Sequence, residues 1–141
     1  MKKAILVSLL ALVLVQCKDK DAKVNLEKGC YSYNSNGNSI SFEITETGDA
    51  ILGNLNYSLS GKDSNSGTFK GDLNGDKLFG TYTFISEGHQ STREVAFLVR
   101  EDQLIEGYGN LTHEGTTFKN RDDVSYTSTM PLTKGECHNQ R

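Results

Sequence analysis

Hydrophobic and polar residues alternate along most of the chain between residues 29 and 111. Ile40, Phe42 and Ile44 alternate with polar residues, and the run that begins at Ile51 continues the pattern. A period of two places the apolar side chains on one face of a strand, as in an antiparallel sheet with one buried face. Short turns rich in Gly, Asn, Asp and Ser separate the runs. The pattern therefore predicts an all-β domain.

A hairpin unit is repeated three times in this region. The segments 45–53, 72–80 and 99–107 follow one another at intervals of 27 residues, and such a period indicates a repeated supersecondary unit. Three glycines occupy equivalent places on the predicted buried face: Gly53, Gly80 and Gly107. Because glycine weakens a strand, we expect them to accommodate curvature or an aromatic ring from across the core.

The repeated hairpins are expected to close into an antiparallel up-and-down β-barrel, since no long helix is predicted to cover an open sheet. The count is ten strands if 116–119, 124–127 and 130–133 are strands and fewer if this tail is irregular, so the range of the prediction is 8–10 strands. Closure of an up-and-down barrel requires an even number. The predicted lining of the barrel consists of large side chains: Phe42, Leu55, Tyr57, Phe69, Tyr82, Phe84 and Phe97.

The N-terminus predicts an export signal. Lys2 and Lys3 precede an apolar run over residues 4–15, which is too short to cross a membrane as a helix and has the length of a secretory signal. The run ends in Leu-Val-Gln-Cys at Cys17, which resembles the bacterial lipoprotein signal, although Gln16 replaces the small residue preferred there. The alternative is ordinary cleavage that leaves Cys17 as a free thiol.

This resemblance implies three segments. Residues 1–16 would be a lipoprotein signal peptide, residues 17–27 a flexible spacer anchored by lipid on its cysteine, and residues 28–138 the β-barrel domain. The membrane would then be a partner through N-terminal acyl chains.

The cysteine count agrees with lipidation. The chain has three cysteines, so assigning Cys17 to the lipid leaves Cys30 and Cys137 near the two ends of the domain. Export to an oxidising compartment favours a disulfide between them. An even strand count would return both residues to the same end of the barrel, as the bond requires. The alternative, a redox-active pair, lacks a Cys-X-X-Cys motif.

The charge balance and the absence of catalytic motifs exclude several classes of function. The chain has 15 Lys and Arg against 18 Asp and Glu, and removal of Lys2 and Lys3 would make it more acidic. This balance argues against nucleic acid or anionic lipid as the main partner. The sequence has no Gly-X-Ser-X-Gly motif, no phosphate loop entering a helix and no carboxylate pair suited to glycoside hydrolysis. We therefore predict a non-enzymatic protein without a cofactor.

The predicted turns differ between the two ends of the barrel. One end, called the closed end here, has tight turns at 47–49, 74–76 and 101–103, whereas the other, the mouth, has longer loops at 60–66, 86–92 and 113–115. Loops on a rigid scaffold often carry binding residues. The first strand begins at the closed end, so a lipid anchor would leave the mouth facing away from the membrane.

Charged residues and histidines near the mouth are candidates for binding: Glu87, His89, Arg93, His113 and Glu114. One interpretation is a metal or anion site. The other is a set of solvated loops in which Glu87 and Arg93 pair and brace a turn. The spacing matches no metal-ligand motif, so no metal is predicted.

Several segments resemble those of small lipoproteins of Bacteroidota. They are Gly67–Asp72, Tyr82–Gly88, Arg93–Phe97 and Glu106–Gly109, together with the cysteine near the C-terminus. The resemblance implies an outer-membrane lipoprotein on the periplasmic face or the cell surface, with a lipocalin-like barrel; it implies no activity. The expected function depends on whether the interior of the barrel is hollow or packed. A hollow barrel would bind a small apolar ligand, and a packed barrel would interact with or inhibit an envelope or host protein through its mouth loops.

Overall fold

Eight antiparallel strands close into a β-barrel in the computed structural model, which describes residues 24–138. The strands are β1 (Gly29–Ser35), β2 (Asn38–Thr47), β3 (Ile51–Ser58), β4 (Asn65–Asn74), β5 (Lys77–Ser86), β6 (His89–Arg100), β7 (Gln103–Gly107) and β8 (Leu132–Gly135). Each strand pairs with its neighbour in sequence, and β1 pairs with β8. The predicted all-β, up-and-down barrel with an even strand count is confirmed.

The predicted signal peptide, Cys17 and most of the spacer lie outside the described residues. Within residues 24–138, no helix is long and apolar enough to cross a membrane.

The two ends of the barrel sequence meet at the closed end. Cys30 pairs with Gly135 across β1 and β8, and a disulfide joins Cys30 to Cys137, whose Cα atoms are 5.1 Å apart. The predicted disulfide is thus confirmed. It closes a loop with a sequence separation of 107 residues, which in the chain-entropy model stabilises the fold by about 4–5 kcal/mol.

Aromatic rings fill the closed half of the barrel. The Phe42 ring centroid lies 5.0 Å from that of Phe69 and 5.2 Å from that of Phe97. Two of the repeated glycines make room for these rings: a Cβ atom on Gly53 would lie 2.8 Å from Phe42 Cε2, and one on Gly80 would overlap the Phe69 ring. An inward glycine therefore accommodates an aromatic ring at both positions, as predicted. The ring comes from the adjacent strand, β2 for Gly53 and β4 for Gly80, and not from across the core as expected.

The third repeated glycine lies on the opposite face from the one predicted. Gly107 pairs with Ala96, whereas Glu106 pairs with the core residue Phe97 and points into the barrel. The predicted inward assignment of Gly107 is therefore wrong by one residue, which moves every side chain of β7 to the other face. The reason is that β7 is covered on both faces, so its alternation does not identify the inner one.

The outer cover of β7 comes from the connection between β7 and β8, called the strap here (residues 108–131). Phe118, Val124 and Tyr126 of the strap pack with Phe79 and Ala96 in a second hydrophobic cluster outside the barrel. The strap therefore buries the outer face of the sheet beside β7.

The predicted count of ten strands is too high because it included segments of the strap. The predicted strands 116–119 and 124–127 are not strands; they contribute only isolated bridges, Leu111 with Phe118 and Tyr108 with Ser125. The predicted strand 130–133 corresponds to β8, displaced towards the C-terminus. Apolar residues of the tail cover the sheet instead of extending it.

Candidate functional site

A cavity of about 590 Å³ occupies the mouth half of the barrel. Its apolar lining includes Ile40, Leu59, Val95, Leu111, Phe118 and Met130. Its polar and charged lining includes Tyr57, Lys62, Asp63, Asn65, Ser86, Arg93, Glu94 and Glu106. The strap contributes Leu111, Phe118 and Met130, so this connection forms part of the wall as well as covering the sheet. We call this space the mouth cavity.

Glu106 is the one charged residue buried in the barrel among residues 24–138, with 8% of its surface exposed. The hydroxyl of Tyr57 donates a hydrogen bond of 2.8 Å to Glu106 Oε1. Burial raises the pKa of Glu106, while the Tyr57 hydrogen bond and the positive charge of Arg93 oppose that rise. Burial and the nearby Glu106 carboxylate also raise the pKa of Tyr57 well above its ordinary value.

Arg93 points into the barrel from β6, where it pairs with the inward residue Tyr82 of β5. Its Cζ atom lies 5.3 Å from the ring centroid of Tyr57, 5.8 Å from that of Tyr82 and 5.9 Å from that of Phe84. Cation–π attraction of this kind partly compensates a guanidinium for lost water. The charge is therefore held against a wall of aromatic rings.

Three buried polar atoms in the mouth half lack hydrogen-bond partners. Within the described part of the chain, Arg93 Nε, Tyr82 Oη and Asn65 Oδ1 are buried without a hydrogen bond. Arg93 also forms no ion pair within 4.0 Å with any residue from 24 to 138. Burial raises the pKa of Tyr82 to about 12, so its hydroxyl remains a neutral donor. Buried polar groups without partners are costly and call for an explanation.

The structure brings only one of the five candidate mouth residues to the cavity. Arg93 lines it, whereas Glu87, His89, His113 and Glu114 are exposed and do not. The predicted loop 86–92 is wrong: Glu87 and Gly88 form a tight turn, and Ser86 already pairs with His89. The strands extend further than expected because Glu87 and Gly88 both adopt a positive φ, which suits a two-residue hairpin.

The candidate lining residues lie at different levels of the interior. Six of the seven are buried and Phe84 is half-buried against the core. Tyr57 is the one that borders the mouth cavity. Sequence reasoning missed Glu106, although a lone carboxylate between Ile105 and Gly107 in an otherwise apolar segment was a usable signal.

A separate group of possible metal ligands lies on the outside of the barrel. Sγ of Cys30, Sγ of Cys137 and a carboxylate oxygen of Glu43 all lie within 4.8 Å of one another. The two sulfurs are joined in the disulfide, and a metal binds the thiolate form. These residues therefore do not form a metal site in the oxidised protein.

Comparison of the chain with protein-family models, with curated proteins and with solved structures finds no match.

Proposed function

We propose that this protein is a non-enzymatic binding protein that holds one small, largely apolar molecule in the mouth cavity. The observation that carries the proposal is the cavity of about 590 Å³, whose lining combines apolar side chains with polar and charged groups. Ligand sites commonly have this composition and size. An eight-stranded barrel is also wide enough to hold one small ligand.

The alternative is a protein-interaction role through the mouth loops, which was expected for a packed interior. The open space at the mouth favours the ligand. Rim residues agree with this choice, because Tyr108 and Leu111 are large, partly exposed and border the same cavity. Their side chains give the cavity an apolar entrance, through which a ligand from water or from a membrane could bind.

We also propose that the protein is an outer-membrane lipoprotein of the Bacteroidota type, with a lipocalin-like barrel anchored through Cys17. The support is the sequence of the N-terminus, together with the place where the described chain begins. Val24 and Leu26 pack at the closed end, beside the β2–β3 turn. An anchor seven residues before Val24 would leave the mouth cavity on the side away from the membrane.

Native mass spectrometry of protein purified from its host tests the binding function. We expect a co-purified small molecule that is released by organic solvent. Leu59→Trp places an indole in the cavity and should abolish the co-purified mass, whereas Ser58→Trp, on the exposed outer face, should retain it. A wild-type protein without a small molecule, but with a stably bound protein, would instead favour the interaction role.

Cell fractionation of Cys17→Ser tests the anchor. We expect the variant either to leave the membrane fraction or to accumulate as a longer precursor, because acyl chains attach to that cysteine. Cys17→Ser that is processed and retained in the membrane like the wild type would exclude lipidation at this residue.

A further inference from the structure

The head group of the ligand can be inferred from the charges inside the mouth cavity. Of the five charged residues that line it, Lys62 and Asp63 are exposed and Glu94 pairs with Arg121, which leaves Arg93 and Glu106 as the charges inside the barrel. Within residues 24–138, these two form no ion pair with each other within 4.0 Å. Tyr57 lies between them: its hydroxyl donates to Glu106, and its ring lies beneath Arg93. Two charges are thus held close together without contact.

Both groups retain unused hydrogen-bonding capacity. A carboxylate offers about four acceptor positions, and Tyr57 fills one of those on Glu106. Arg93 has a planar fork of donors, and its Nε is buried without a partner among the described residues. A ligand that pairs with both would offset the cost of burying them.

A charged ligand would satisfy one of these groups and oppose the other. Burial raises the pKa of Glu106, whereas the hydrogen bond from Tyr57 and the charge of Arg93 favour its ionised form; the Tyr57 hydroxyl donates to it as to a carboxylate. A ligand anion drawn to Arg93 would therefore meet a carboxylate in apolar surroundings, and a ligand cation drawn to Glu106 would meet a guanidinium. Like charges at close range in a low dielectric repel strongly. An uncharged head avoids both penalties.

Building on the proposed binding function, we propose that the mouth cavity selects an uncharged amphiphile. Its apolar body contacts the aliphatic wall around Ile40, Leu59 and Val95. Its head group carries both an N–H or O–H donor, which bonds to Glu106, and an acceptor oxygen, which bonds to Arg93. Primary amides and alcohols have this chemistry, whereas fatty acids and alkylamines do not at neutral pH.

Three probes with the same alkyl chain test the selection: dodecanamide, dodecanoate and dodecylammonium. Displacement of an environment-sensitive apolar dye from the purified wild-type protein at neutral pH gives their relative affinities. We expect dodecanamide to bind at least about tenfold more tightly than either charged probe, since tenfold corresponds to about 1.4 kcal/mol.

Two variants should change the preference in opposite directions. Glu106→Gln removes the anion, so the affinity for dodecanoate should rise about tenfold relative to dodecanamide. Arg93→Met removes the cation, so dodecylammonium should gain instead. Arg100→Met and Glu101→Gln alter exposed residues at the closed end and should leave the preference unchanged.

The possible outcomes separate this inference from the binding function. If dodecanoate or dodecylammonium binds the wild type as tightly as dodecanamide does, the inference is overturned and the binding function stands. If neither the dye nor any probe binds, both are overturned. The relative affinities of the wild-type protein for the three probes are sufficient to test the inference, even if a variant fails to fold.

Discussion

The two halves of the barrel are built from the same strands but have opposite interiors. In the closed half, the rings of Phe42, Phe69 and Phe97 meet at the centre, and inward glycines give them space. In the mouth half, aromatic rings lie against the wall: Tyr82 and Phe84 stack with centroids 4.8 Å apart. The size of the inward side chains alone would not predict the difference. It depends on whether the neighbour of a ring on the adjacent strand is a glycine, as for Phe42 and Phe69, or whether the ring stacks on another ring, as for Tyr82.

The interiors of the two halves also differ in polarity. The closed half is filled by apolar side chains, whereas the mouth half places Arg93 and Glu106 inside the barrel. A fully packed interior is the more stable solution, and charged groups there are costly unless paired. The comparison indicates that the closed half provides stability while the mouth half is shaped for binding.

The largest expected effect is the loss of a ring from the packed half. Phe69→Ala should lower the free energy of unfolding by about 3–5 kcal/mol, because a buried ring leaves a cavity that its neighbours cannot fill. Leu59→Ala, at the edge of the mouth cavity, should cost less than about 2 kcal/mol, since space already exists beside it. Paired urea denaturation measures both, and equal losses would contradict the division into two halves.

A smaller effect is expected from filling the space at an inward glycine. Gly80→Val should cost about 1–3 kcal/mol, because its Cβ would overlap the Phe69 ring and lie 2.8 Å from the carbonyl oxygen of Lys70. Thr81→Val, on the exposed face of the same strand, should be nearly neutral in the same denaturation experiment. A Gly80→Val protein as stable as the wild type would mean that the closed half has room to spare.

The smallest effect concerns pH and tests the polar half. The pKa of Glu106 is raised in the folded protein, mainly by burial, from an ordinary value of 4.5. The folded state therefore holds this proton more tightly, and the resulting stability is present below that value and is lost as the pH rises through the folded pKa.

Glu106→Gln removes this titration. The free energy of unfolding of the variant should therefore fall less than that of the wild type between pH 4.5 and neutrality. Thermal or urea unfolding across this range measures the slope, with the exposed-site variant Glu101→Gln as the control. Parallel slopes for Glu106→Gln and the wild type would show that burial does not disfavour the carboxylate charge.

Sequence reasoning was reliable where one face of a strand is buried and the other is wet. The alternation of Ile40, Phe42 and Ile44 identified the inner face of β2 because the opposite face is polar. It failed at Gly107, where the strap covers the outside of β7 and both faces are buried. The alternation within β7 could not reveal that cover, since it comes from residues of the strap outside the strand.

The candidate site was the least predictable region for a related reason. From His89 to Glu94, β6 carries polar side chains on both faces, so the sequence there has the pattern of a hydrophilic loop. Placing Gly107 on the inner face by alternation implied that Glu106 faces outward, whereas it lies inside. A binding site departs from the rule that places apolar residues inward, and such departures are expected at functional positions.

The bond between Cys30 and Cys137 also determines how the protein carries mechanical load. Tension applied to the two ends of the chain enters at one cysteine and leaves at the other, so it passes through a covalent bond and bypasses the 107-residue separation between them. The strands and the mouth cavity would therefore remain unstretched when the chain is pulled by its ends. Reduction of the bond would transfer the same force to the hydrogen bonds between β1 and β8, which are the shortest route between the ends.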